Sequence, residues 1–328
     1  MTSAAGAVLV LAAVLAIELP RRDRARRTVS RSADEGGTGV NQAPAVANFA
    51  VIGPGKAGTT WMYSLLKAHP EVCVAAAKET MFFDANYHRG VGWYHRFYEA
   101  CEGRAAVGEV CNSYIFSEEA PARMHAYNPA MRLVTSLRNP IDRAFSNYLF
   151  WLRNAQVGGS FEDTVVARPE LLVQGLYAMH LERYLDHFPA RQLLVLAFDD
   201  LKRAPLAFAR RLLEFLDVDP EHVPEVAGEK VLGASRPRSR VAARVVKQAA
   251  VAVRRVGMPD VVTRVKGGAL PRLLYRQYGD GDYPAMRAET RAELIRYFAA
   301  DVARLSRLTG RDYAALWFGT AGVSGPGG

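Results

Sequence analysis

Cysteine is scarce in this chain. Its 328 residues include three, Cys73, Cys101 and Cys111. That number is too small and too odd for a disulfide framework, and no Cys/His spacing resembles a zinc site. The expectation is a reducing compartment, with no metal. Lysine is scarce as well: seven of the 42 basic residues, the others being arginine. A long apolar run is also missing. The first 17 residues, MTSAAGAVLVLAAVLAI, carry no charge, short of the ~20 that span a bilayer. Glu18 and then RRDRARR follow it, whereas a secretory signal carries its positive charges in front. If the segment inserts, the arginines hold the body in the cytoplasm. Residues 1–20 are therefore a candidate membrane anchor or leader, 21–47 a basic flexible linker, 48–318 one folded domain and 319–328 a disordered tail.

Uniform basicity is the next absence. The net charge is +9, yet Arg236 to Arg276 alone carries eleven Arg/Lys against Asp260, and residues 1–35 add +2. The remainder is mildly acidic. A nucleic-acid binder does not distribute charge this way. A local basic segment beside an acidic body points to one anionic ligand or to a membrane surface. Within it, Val241, Val245, Ala249, Ala252 and Val256 recur at helical spacing with Arg240, Arg244 and Lys247 between them. That pattern is either a packed helix with a solvated basic face or a lipid-recruiting one.

What is present is an alternation of apolar strands and helices. Strands are expected at Phe49–Gly53, Val72–Ala75, Ala106–Val110, Met131–Leu137 and Leu193–Phe198. Helices are expected at Thr59–Ala68, Glu118–Ala126, Pro140–Asn154, Leu172–His187, Ala204–Leu216 and Met286–Leu308. From Arg240 on the pattern is helical only. Near-continuous apolar strands between helices predict an α/β, three-layer P-loop-like domain with a central parallel sheet and a helical C-terminal cap.

Three segments carry chemistry. Gly53-Pro54-Gly55-Lys56-Ala57-Gly58-Thr59-Thr60 follows a strand and opens a helix. Backbone N–H groups and a helix N-terminus there suit a phosphate, and Thr59 and Thr60 can cap the helix and donate hydroxyls. A nucleotide-binding P-loop reads G-x-x-x-x-G-K-[ST]. Here Thr59 stands in the lysine's place and the lysine has moved into the loop at Lys56. Second, Leu137-Arg138-Asn139-Pro140 ends a strand at the edge where open α/β sheets bind ligands. Ser146 lies two helical turns beyond Asn139, so Arg138 and Ser146 can share a phosphate monoester. Third, Lys78-Glu79-Thr80-Met81-Phe82-Phe83 pairs a cation, which can neutralise a transferring group, with a carboxylate that can accept a proton.

In this order and spacing, GPGKAGTT, KETMFF and LRNPIDRAFSNY resemble the sulfotransferase domain that uses 3′-phosphoadenosine 5′-phosphosulfate (PAPS), in particular the heparan-sulfate N- and O-sulfotransferases and their bacterial relatives. GEVCNSYIF (Gly108–Phe116), Tyr177–Leu201 and SRPRS (Ser235–Ser239) extend the likeness over about Asn48 to Trp317. The resemblance implies that Lys56, Ala57, Gly58, Thr59 and Thr60 hold the 5′-phosphosulfate, and that Arg138 and Ser146 hold the 3′-phosphate. It further implies that Arg236 and Arg238 close over the nucleotide. Glu79 is then the base, with Lys56 and Lys78 as catalytic cations and Lys78 and Tyr114 facing the acceptor. The implied reaction moves a sulfuryl group from PAPS to a hydroxyl or amine of a carbohydrate, glycolipid or small metabolite, leaving PAP. One departure stands out: relatives often carry Ser-Pro before the tyrosine, where this chain has Asn112-Ser113. The disulfide of secreted relatives has no obvious counterpart. Two other readings remain: a P-loop kinase, with Asp199 after LLVLAF as a Walker B acid, and an inactive nucleotide-binding protein at a membrane.

Overall fold

Apolar residues on both faces of short strands demand cover on both sides. In the computed structural model, which describes residues 46–154, 156–224 and 284–319 and the backbone of 235–237 and 275–277, five strands meet that demand in one parallel sheet. They are β1 (Phe49–Val51), β2 (Val72–Val74), β3 (Ala106–Val110), β4 (Arg132–Leu137) and β5 (Leu193–Ala197), in the order β2-β3-β1-β4-β5. Phe49, Val51, Val134 and Leu196 face one side, where α1 (Thr59–Ala68) contributes Met62, Leu65 and Leu66. There α9 (Pro205–Leu216), which follows α8 (Phe198–Arg203), adds Phe208, Leu212 and Leu213. Ala50, Ile52, Leu133 and Leu137 face the other side. That face is covered by α3 (Ala120–Tyr127), α4 (Pro140–Arg153), α7 (Tyr177–Leu185) and the long α10 (Ala288–Thr309). Short helices α2 (Val91–His95), α5 (Phe161–Ala167), α6 (Glu170–Val173) and α11 (Tyr313–Phe318) complete these elements.

The three-layer α/β expectation holds, and β1 is its centre. From β1 the chain leaves toward β2 and β3, and after β3 it crosses to β4 and β5. Ligands of open α/β sheets bind where the strand order reverses in this way. The C-terminal cap braces that end. On α10, Leu294, Phe298, Val302 and Leu305 are buried, as their spacing predicts. Asp301 of α10 accepts the N–H groups of Ala178 (3.0 Å) and Met179 (3.1 Å) at the start of α7. Carboxylates are favoured at that end of a helix, while burial pushes the Asp301 pKa up.

Several expectations are corrected. The stretch after Arg240 is not helical throughout: β6 (Ser235–Pro237) pairs antiparallel with β7 (Tyr275–Gln277). The helix read at Leu172–His187 is two, α6 and α7, separated by Gln174–Leu176. The α5 helix went unread, although Ser160 and Asp163 form a capping box at its start. The N-terminal segment, Arg238, the Val241–Val256 pattern and residues 320–328 lie outside the described residues. Among the described residues no helix is long and apolar enough to cross a membrane.

The largest correction concerns cysteine. Cys73 of β2 and Cys101 are bonded as a disulfide with Cα atoms 5.5 Å apart, while Cys111 is free and buried. Scarcity argued against a framework of several bridges, but a single pair 28 residues apart needs only that the fold bring both ends together. Closing such a loop restricts the unfolded chain by about 3–4 kcal/mol in the chain-entropy account. The double variant Cys73→Ser/Cys101→Ser should therefore unfold at lower urea, with about 3 kcal/mol less stability. The unreduced, denatured wild type should titrate one thiol. Three titratable thiols would contradict the pairing.

Candidate active site

Beyond β1, Ile52 N–H still reaches Val134 O of β4 (2.9 Å), and then the chain turns sharply. Gly53, Lys56 and Gly58 all have positive φ (109°, 72° and 89°), and the Gly53–Pro54 bond is cis. At Gly58 a Cβ would also meet Leu201 Cδ2 at 2.7 Å, so only glycine fits there. Gly58 is the N-cap of α1 and offers no side-chain cap. This corrects the expectation that Thr59 or Thr60 caps the helix: both are already helical. With glycine at the N-cap, no N-cap side chain occupies the start of α1, which suits an anion at the helix N-terminus.

The second segment comes to the first because β4 lies beside β1. Arg138 Nη1 donates to Lys56 O (3.3 Å), and its guanidinium lies 5.3 Å from the Phe198 ring centre. Its Nε is buried without a partner, and burial lowers its pKa. Thr135 Oγ1, also on β4, donates to Gly53 O (2.7 Å). Tyr177 OH donates to Arg138 O (2.8 Å), so α7 holds the arginine's backbone. Asn139 caps α4 through Oδ1, which accepts from Ile141 N (3.0 Å), and donates from Nδ2 to Trp317 O (2.9 Å). Ser146 is half-buried on α4. Phe150, four residues on and so on the same helix face, lies 3.6 Å below Lys56 Nζ.

The third segment lies across the loop. Lys78 Nζ donates to Thr60 Oγ1 (3.2 Å). Glu79, at φ 61°, donates its N–H to Val110 O (3.2 Å), and its Oε1 accepts from Asn112 Nδ2. Burial lowers the pKa of Lys78. Burial likewise brings Lys56 down to about 8, with Arg153, Arg138 and Lys78 adding repulsion and Glu79 opposing it. Cations so placed lower one another, and a bound polyanion would reverse the effect.

Tyr114 is corrected. It is 0% exposed, and its hydroxyl donates to Glu109 Oε1 (2.8 Å). Burial drives the phenol pKa far up. The side chain is thus enclosed in the core, its hydroxyl bonded to Glu109 and not open on the surface. Glu109, at the middle of the sheet, went unread as a functional residue. It also accepts from Thr80 Oγ1 (2.7 Å) and Tyr94 OH (2.8 Å), and burial raises its pKa against those bonds. The signal was visible: one carboxylate in the apolar strand AVGEV. Arg236 stands on β6, whose backbone runs beside α4. Asp199, the acid of the kinase reading, accepts from Trp317 Nε1 (3.1 Å) and lies 3.8 Å from Lys202.

A glycine-rich turn opening a helix at the centre of a parallel sheet, with a buried arginine from the next strand, is an arrangement that suits a phosphate-bearing ligand. The sulfotransferase domain family matches residues 47–232, and the chain belongs to that family. It is 34% identical over 196 residues to the bifunctional heparan sulfate N-deacetylase/N-sulfotransferase 3 of Homo sapiens, covering 53% of this chain and 22% of that protein. It is 36% identical over 176 residues to the heparan sulfate glucosamine 3-O-sulfotransferase 3A1 of Mus musculus, covering 51% and 44%. The chain thus matches less than half the length of these relatives. A sulfotransferase from Alicyclobacillus acidocaldarius superposes with a TM-score of 0.61 at 26% identity, covering 82% of this chain and 98% of that one.

The depressed Lys56 supplies a test. A bound phosphate dianion favours the charged lysine, so binding takes up a proton once the free lysine is neutral. Affinity for PAP should be flat from pH 7 to 8 and then fall, by up to tenfold per unit, as pH rises past 8. Titration calorimetry in buffers of different ionisation heat reads both the affinity and the proton uptake. Constant affinity to pH 9.5 would contradict the placement of Lys56.

Proposed function

We propose that this chain transfers the sulfuryl group of PAPS to a hydroxyl or amine of a carbohydrate acceptor. The observation that carries the reading is the meeting of Arg138 with the Lys56 carbonyl, which sets two cationic anion sites side by side. The Gly-rich loop and the α1 N-terminus would take the 5′-phosphosulfate. Arg138 and Ser146 would take the 3′-phosphate, with β6 over α4 as the nucleotide's cover. Little covalent chemistry is asked of the protein, so positioning and charge supply the rate. The acceptor O–H or N–H attacks sulfur, and its proton passes to the Glu79 carboxylate. The bond from sulfur to the 5′-phosphate oxygen breaks, and Lys56 faces the charge that develops on that oxygen. Lys78, anchored on Thr60, is placed to meet charge on the transferring oxygens.

The acceptor class rests on relatives named for heparan sulfate and its glucosamine. A membrane-associated, cytoplasmic placement through residues 1–20 belongs to the same proposal. The Cys73–Cys101 bond weighs against a reducing compartment, and thiol trapping in cells decides between them.

Two measurements test the function. Calorimetry should show PAP binding at least about tenfold tighter than ATP, because only PAP carries a 3′-phosphate for Arg138. Labelled PAPS offered with heparan-type oligosaccharides should give labelled product. In Glu79→Gln that product should fall by about 10²-fold or more, with PAP affinity unchanged, because the base acts on the acceptor. Equal binding of ATP and PAP, or full turnover in Glu79→Gln, would overturn the assignment.

A further inference from the structure

Asn112 stands where the sequence departs from the Ser-Pro of its relatives, and its surroundings give it a task. The segment after β3 is threaded between the two halves of the site. Cys111 N–H donates to Val51 O (2.9 Å) and Ile115 N–H to Ile52 O (2.9 Å), which ties it to the end of β1. On its other side, Glu79 N–H donates to Val110 O. Asn112 is the residue that faces both ways. Its backbone oxygen would lie 2.6 Å from a Cβ on Gly53, and its side-chain amide 3.7 Å from one on Gly55. The same amide donates through Nδ2 to Glu79 Oε1. Glycine at 53 is what allows this close approach.

We propose that Asn112 is a positioning residue for the transfer step: its amide fixes the Glu79 carboxylate against the Gly-rich loop. The proposal rests on the reading of Glu79 as the base. Three observations support it. Glu79 occupies a left-handed backbone conformation, unusual for a residue with a side chain, so local propensity does not hold it in place. Thr80 and Tyr114 pin the following residues on Glu109, but neither touches the Glu79 carboxylate, which Asn112 does. Finally, the amide's orientation is informative. Its Oδ1 is buried with no partner; the opposite orientation would leave Nδ2 unpartnered there and also set Oδ1 against the Glu79 oxygen. An amide N–H on a carboxylate is charge-assisted and stronger than a neutral hydrogen bond, so it can hold the carboxylate in one orientation.

The placement also suits the order of events. Asn112 touches the loop that holds the donor and the carboxylate that serves the acceptor, so the distance between the two is set by one side chain. The polar segment continues through Ser113, whose hydroxyl donates to Asp84 Oδ2.

Two variants test this, read by PAP release from PAPS with a heparan-type oligosaccharide or, without one, water as acceptor. Asn112→Ala should lower kcat by about 10- to 100-fold, the worth of one charge-assisted hydrogen bond, while PAP affinity stays within about threefold of wild type. Asn112→Asp, equal in size, sets a second carboxylate against Glu79. Like charges resist joint ionisation, so the acid limb of the kcat/KM profile should move up by at least about one pH unit. A packing role alone would cost PAP affinity along with kcat. Wild-type kcat in Asn112→Ala together with an unmoved acid limb in Asn112→Asp would overturn the proposal, as would a loss of PAP affinity that matches the loss of rate. Should Asn112→Ala fail to fold, the isosteric Asn112→Asp profile decides. Glu79→Gln, measured alongside, separates the two failures. If it keeps full turnover, the base reading falls. If it is inactive while both Asn112 variants are normal, only the role of Asn112 falls.

Discussion

The site depends on one contact, the Arg138 guanidinium on the Lys56 carbonyl. A buried cation normally finds a carboxylate. Among the described residues none pairs with Arg138, and its Nε has no partner at all. The arginine is held there by its backbone: β4 is zipped to β1 on one side and to β5 on the other, and Tyr177 clamps its carbonyl. Because strands β1 and β4 are neighbours, two segments more than 80 residues apart end at one place. The C-terminal helices are tied to the same place. Asp301 caps α7, which carries Tyr177, while Trp317 receives the Asn139 amide and donates to Asp199.

That contact gathers an excess of positive charge. Burial first, and then the charges of Arg153, Arg138 and Lys78, lower the Lys56 pKa, while Glu79 opposes them. Such a cluster costs stability when empty, since the like charges repel. It is relieved when a polyanion arrives. A cluster of cations at the carboxyl edge of the sheet suits an anionic ligand. The same edge carries the Glu79 carboxylate, which accepts the Asn112 amide.

Much of this was legible in the sequence, for identifiable reasons. Near-continuous apolar strands such as LLVLA (Leu193–Ala197) betray a sheet covered on both faces, and the turn GPGKAGTT could be placed because a strand precedes it and a helix follows. Lys56, Lys78, Glu79 and Arg138 come together as that reading implies. What the sequence hid depends on distant contacts. The Cys73–Cys101 bond requires β2 and the turn after α2 to meet. Tyr114 reads as a site residue by position, but its environment is a buried carboxylate 2.8 Å away. Thr59 and Thr60 read as caps by composition, but the left-handed Gly58 takes that position. Glu109 and Asn112 carry no local signature beyond polarity in an apolar stretch. Arg236 is placed by its backbone alone, and Arg238 lies outside the described residues.

The central claim is that one nucleotide bridges the loop and the end of β4, with its 3′-phosphate on Arg138. The most direct measurement compares PAP with adenosine 5′-phosphosulfate, which lacks that phosphate, on the wild type and on Arg138→Ala. The account predicts that the variant loses PAP affinity by about 30- to 1000-fold, the worth of roughly 2–4 kcal/mol of charge-assisted bonding, and binds adenosine 5′-phosphosulfate as the wild type does. Equal losses for both ligands, or none for PAP, would contradict it.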